Sequence, residues 1–232
     1  MTATSATTKL VSRAPRETLR PLGLWQRGRS RTWIDDRSWW LIVVEFQPSS
    51  WGLGSYLNVG ANWLWWAKDY FSFDEGSRVR WATNPVRLDD AATHTTDYLD
   101  YRDDDQFGND IRAVCAVAAQ RVGQLRERFA GVDAVARHLG SGTADDDQGW
   151  PAYHAGIAAG LTGDVPTARP RLGQVAASES TSPWQVDLAR RARDLYELVV
   201  DQPAFRDHIR AIVVETRTLL KLAPPVPAYL PV

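Results

Sequence analysis

The sequence has one cysteine, Cys115, so no internal disulfide can form, and a disulfide framework of the secreted kind is excluded. It has no apolar run approaching the roughly 18 residues of a spanning helix. Its N-terminus, MTATSATTKL, lacks an apolar core of signal-peptide length. Together these point to a cytoplasmic chain with no membrane partner. Surplus basic charge is missing too: a net charge of −1 gives no bulk drive toward nucleic acid or an anionic surface. Chemistry-bearing motifs are equally scarce. His94, His138, His154 and His208 each stand without a second histidine at ligand spacing, which argues against zinc. There is no G-x-S-x-G elbow, and Gly52-x-Gly54 lacks the rest of a phosphate or dinucleotide loop. The sequence assigns no catalytic residue, metal site or cofactor.

What the chain does have is unevenly placed. Nine of its eleven tryptophans lie between Trp25 and Trp81. Residues 1–38 carry eight basic and three acidic side chains, whereas residues 69–110 carry four basic and eleven acidic ones. The two segments either face each other within the fold or one of them meets a partner.

Periodicity predicts an α+β protein. Residues 7–22 read as a short helix closed by Gly23, with Pro15 tolerable only near a first turn. Strands are predicted at Arg31–Ile34, at Trp39–Gln47, and at Ser55–Trp63, where side chains alternate between two faces. Shorter strands are predicted near Arg78–Trp81 and Thr95–Tyr101, and the short connections favour antiparallel pairing. From Gln106 the apolar period changes to that of a helix, giving a stripe from Phe107 to Phe129 that includes Cys115 as inert packing. Further helices are predicted at 133–139, 151–162, 165–178, 184–200 and 204–221, with SGTADDDQG as a linker and an extended tail. The domains expected are 1–140, a sheet packed on helices, and 141–232, a helical half. Within the latter, Trp150 to Leu172 resembles one helical hairpin of a tetratricopeptide repeat, and no second copy is evident at that period.

Several spaced fragments carry a further resemblance: Leu22-Gly23-Leu24, Arg27-Gly28 leading to Arg31-Thr32-Trp33, Val44-Glu45-Phe46-Gln47 with Ser49, and Tyr56-Leu57-Asn58-Val59-Gly60. This block, Leu19 to Gly60, resembles the bacterial domain of unknown function family 4304, and the widest reach of the resemblance ends at residue 129. What it implies is an α+β fold with no established activity.

The candidate site residues are polar or charged groups beside these strands. Gln47, Ser49 and Asn58 would form a polar pocket on one sheet face, against the plainer reading that they satisfy a turn and neighbouring backbone. Arg27, Arg29 and Arg31 beside Trp25 and Trp33 mix cations with aromatics. On a hairpin such arginines commonly form a solvated edge, and without a wider basic footprint nucleic acid is disfavoured as a partner. Two triplets, Asp103-Asp104-Asp105 and Asp145-Asp146-Asp147, precede helices and suit capping better than metal binding. The expected function is a non-catalytic interaction protein that binds another protein. Arg31, Trp33 and an acidic surface of Asp97, Asp100 and Asp103 are candidates for the contact. A toxin-protection or phage-defence setting is the context that analogy with small orphan bacterial domains suggests. The competing expectation is a small-ligand site or enzyme with its pocket around Gln47, Ser49 and Asn58.

Overall fold

An antiparallel sheet followed by helices is what the switch in apolar period dictates, and a computed structural model of the chain has that architecture. It describes residues 3–82, 95–142 and 149–226. The chain divides into two units. The first is Met1–Trp63 with Tyr70–Leu125, and the second is Leu64–Asp69 with Arg126–Val232. The sequence-based boundary at 140/141 falls within the last turn of the helix Val132–Ser141, which here groups with the second unit.

In the first unit, helix α1 (Ala3–Thr18) leads through a 3-10 turn at Arg20–Leu22 to Gly23, which takes the left-handed conformation of a stop. Pro15 is inside the last turn of α1 rather than the first. There it forfeits only one donor close to the helix end, and its own carbonyl still accepts from the Leu19 amide (2.7 Å). The sheet has the order β1 (Trp25–Gln26), β2 (Thr32–Asp36), β3 (Trp40–Pro48), β4 (Gly54–Trp63) and β5 (Glu75–Arg78). A further strand, β8 (Tyr98–Asp100), pairs with the start of β4 beyond the reach of β5, and β6 (Trp81–Ala82) pairs separately with β7 (Thr95–Thr96). All pairings are antiparallel. Asp36 accepts from the Ser38 amide (2.9 Å) in the predicted polar turn, where Ser38 adopts a positive φ of 68°.

Alternation gives the two sheet faces different characters. One carries Trp33, Trp40, Ile42, Val44, Phe46, Leu57, Val59, Ala61 and Trp63, all buried. Trp39, in the turn, stacks on Trp63 (6.0 Å) and tilts against Trp40 (6.1 Å), so both members of that adjacent pair enter one cluster. Helix α2 (Asp104–Arg128) buries the stripe Phe107, Ile111, Val114, Cys115, Ala118, Val122 and Leu125. On the sheet's other face, Leu41, Val43 and Ile34 are also buried. Residues 70–74 are tied over part of this face: the Ser72 amide donates to Asn62 Oδ1 (2.9 Å), the Asp74 amide to the Ala61 carbonyl (2.9 Å), and the Trp63 amide to Asp74 Oδ2 (2.7 Å).

The second unit contains α3 (Val132–Ser141), α4 (Trp150–Leu161), α5 (Val165–Ala176), α6 (Pro183–Leu198) and α7 (Gln202–Leu219). The small residues of α4 act as expected, since a Cβ at Gly156 would meet Leu172 at 2.8 Å and one at Gly160 would meet Phe205 at 2.6 Å. The expectation of a lone hairpin is corrected, because α6 and α7 repeat α4 and α5 at a constant offset of 37 residues. Asp164 and Asp201 each cap a second helix, accepting from the Thr167 and Ala204 amides (both 3.1 Å), and Pro166 and Pro203 each occupy its second position. Buried Ala152, Ala155, Ala168 and Leu172 correspond to buried Ala189, Ala192, Phe205 and Ile209. This offset is longer than the usual repeat of about 34, and Ala168 against Phe205 preserves burial while changing the residue type, so letter matching misses it. Leu64–Asp69 belongs to this unit: Trp65 Nε1 donates to His154 Nδ1 (3.0 Å), and Trp66 meets Trp150 edge-on (4.4 Å). Among the described residues no helix is long and apolar enough to cross a membrane.

Candidate functional site

The half of the second sheet face that residues 70–74 leave uncovered is polar. Register aligns Thr32, Glu45, Asn58 and Arg78 in one row across four strands, and Gln47, Tyr56 and Tyr98 in the next. These seven side chains occupy alternate positions, so all point the same way. Four of them, Glu45, Gln47, Asn58 and Arg78, form one hydrogen-bonded network, and the two tyrosines join it through ring contacts. Asn58 Nδ2 donates to both Glu45 Oε2 (3.2 Å) and Gln47 Oε1 (3.0 Å), and Arg78 Nη2 donates to the same Gln47 oxygen (3.1 Å). The Arg78 guanidinium lies over the Tyr56 ring, 3.9 Å from its centroid, and Tyr56 in turn tilts against Tyr98 (5.1 Å). Asp97 Oδ2 stands 3.9 Å from Arg78 Nη1.

Exposure rises across this network. Asn58 is buried (7% exposed), Glu45, Tyr56 and Tyr98 are half-buried, and Gln47 and Arg78 are exposed. A buried amide therefore fixes the lower side of Gln47, while the outer donors of Arg78 face solvent. Such an arrangement can present a preoriented amide, a guanidinium and two phenol rings to a partner, with little side-chain order left to acquire on binding.

The structure unites Gln47 with Asn58 and brings Asp97 to the rim. It does not add Ser49, whose hydroxyl accepts from the Trp51 amide (3.1 Å) in the turn after β3. Trp33 is core, 2% exposed on the opposite face. Arg31 is half-buried, and its guanidinium donates to Thr8 Oγ1 of α1 (3.4 Å); burial lowers its pKa from the ordinary value. Arg27 lies over the Phe71 ring (4.4 Å). Asp100 is exposed, and its backbone pairs with Gly54. Asp103 caps α2 by accepting from the Gln106 amide (2.8 Å), as its position before the helix suggested. Asp145–Asp147, Asp89, Asp90 and His94 lie outside the described residues. Glu45, Tyr56, Arg78 and Tyr98 were missed by sequence reasoning, because only the register places them beside Asn58. A pairing of the two long strands about their connecting bend would have found Glu45 and Tyr56.

Among the described residues no three His, Cys, Asp or Glu side chains gather so as to hold a metal ion. Comparison with known proteins finds no family model, no curated protein and no solved structure that matches the chain.

Proposed function

We propose that the first unit is a protein-binding module whose contact surface is the open half-face centred on Arg78. The observation that carries this reading is the network itself: a guanidinium bonded to an amide that a buried asparagine holds in turn, flanked by two tyrosines, on an exposed part of the sheet. Tyr and Arg are the residue types that concentrate binding energy at protein interfaces. The mixture of Glu45, Asp97 and Arg78 suits a surface with charges of both signs better than a polyanion. The resemblance of Leu19–Gly60 to family 4304 is part of the same proposal, as a shared module of that kind.

The test is affinity capture with the full chain as bait beside the variants Arg78→Ala and Gln47→Ala. Partners retained by the native chain and lost from both variants, whose melting temperatures stay within a few degrees of native, are the expected outcome. Identical partner sets for all three baits would overturn the reading.

A further inference from the structure

The bend between β3 and β4 places an apolar tip in water. Trp51 is 93% exposed and Leu53 43% exposed, on a turn held by the Ser49 hydroxyl and by the bond from the Ser49 amide to the Gly54 carbonyl (3.2 Å). An indole left almost wholly solvated contributes nothing to its own fold, and large aromatics are rarely so exposed without a contact to make. The tip is also not isolated from the network above. A Cβ at Gly52 would meet the Tyr98 hydroxyl at 3.2 Å, and the Tyr101 amide donates to the Leu53 carbonyl (2.9 Å). Trp51 and Leu53 thus adjoin the junction of β8 and α2.

That junction is acidic. Between residues 97 and 105 lie five aspartates and one arginine. Asp100, Asp103, Asp104 and Asp105 are exposed; Asp103 caps the helix and Asp104 accepts from the Tyr101 hydroxyl (2.6 Å). Both of those local bonds leave carboxylate oxygens toward solvent, so the flank keeps its negative field. An apolar anchor with a flank dominated by one sign of charge favours a partner that carries the opposite sign on that side. It also repels the anionic headgroups that a membrane-inserting tip would meet.

We propose that Trp51 is the anchor of the protein-binding surface, and that it fits a partner presenting an apolar pocket bordered by lysine or arginine. This rests on the protein-binding reading and specifies the partner's chemistry. The probe is a random peptide library displayed on phage and selected on the immobilised full chain. Recovered peptides should combine basic residues with a large apolar one. Their binding should fall at least about tenfold in Trp51→Ala, as for a central aromatic anchor, and return in large part in Trp51→Phe. Binding should also weaken with added salt, and less steeply in Asp100→Asn/Asp105→Asn. Peptides lacking basic residues, or equal binding to Trp51→Ala, would overturn the assignment. So would binding of phosphatidylglycerol vesicles by the native chain and not by Trp51→Ala, which would give the tip to lipid. The two readings fail separately. Peptides that lose Arg78→Ala but keep Trp51→Ala would spare the protein-binding face and remove the anchor, and no enrichment over an uncoated support would remove both.

Discussion

Asn58 spends both of its amide hydrogens inside the network, one on Glu45 and one on Gln47. Asn58→Asp removes those donors and sets a second carboxylate beside Glu45, so it should destabilise the chain by about 2 kcal/mol. A urea midpoint equal to native would show that these hydrogen bonds do not contribute to stability. Cys115 gives a second residue-scale test. Burial pushes its thiol up to about 12, so at neutral pH the native protein should ignore an aromatic disulfide reagent that titrates it at once in guanidinium. The linkage has a definite sign. The folded chain keeps this proton above the ordinary cysteine value of about 8.5, so stability should fall as pH rises past that point. Fast labelling of the native form would mean that the α2 stripe opens far more often than its burial indicates.

At the scale of elements, the backbones of β4 and β5 approach each other closely at a pair of glycines. Gly60 faces Gly76, whose φ is +90°, and a Cβ at Gly76 would come within 2.7 Å of the Val59 carbonyl. Gly76→Ala should therefore cost about 2–4 kcal/mol, read as a lowered melting temperature. A neutral result would mean that β5 can shift. The same geometry explains what sequence could and could not locate. β3 is apolar nearly throughout and β4 alternates over its length, and both were legible within a residue at either end. β5 reads Glu-Gly-Ser-Arg, with no apolar period at all; it pairs because two glycines let the backbones meet, so its strand was expected some residues too late. All five principal helices of the second half were legible from their stripes and caps. Of the candidate site, Gln47 and Asn58 were legible as polar intrusions in apolar strands, while Arg78 depended on the strand that periodicity could not see. On α6, Asp187 accepts from Arg191 (2.6 Å) and Arg190 (2.7 Å), and the Arg191 hydrogen bond leads in holding its carboxyl below the usual range. A depressed pKa means stability present above about pH 4 and lost as pH falls through the lower folded value. Asp187→Asn should accordingly melt slightly below native at neutral pH and converge with it in acid, once the native carboxyl is protonated. A gap that persists in acid would point to a cause other than the ion pairs.

For the whole molecule, the assignment of Leu64–Asp69 to the second unit means that neither unit is a continuous stretch of chain. Trp65 is bonded to a histidine 89 residues further along. During synthesis at about 5–20 residues per second, that interval lasts roughly 4–18 seconds. Throughout it, two tryptophans have left the ribosome while the helix that receives them does not yet exist. A nascent chain of this protein thus passes through an obligatory sticky phase, and chaperone demand should be written into its translation timetable. A photoreactive residue in place of Ala67 should capture a ribosome-associated chaperone in chains arrested short of Trp150, and should lose that capture once α4 is free of the exit tunnel. Equal capture at both stages would mean that the six-residue segment is sheltered by something nearer in sequence. If it is not, slowing translation between Asp69 and Trp150 with rare codons would prolong the vulnerable interval and reduce the soluble yield, without altering a single amino acid.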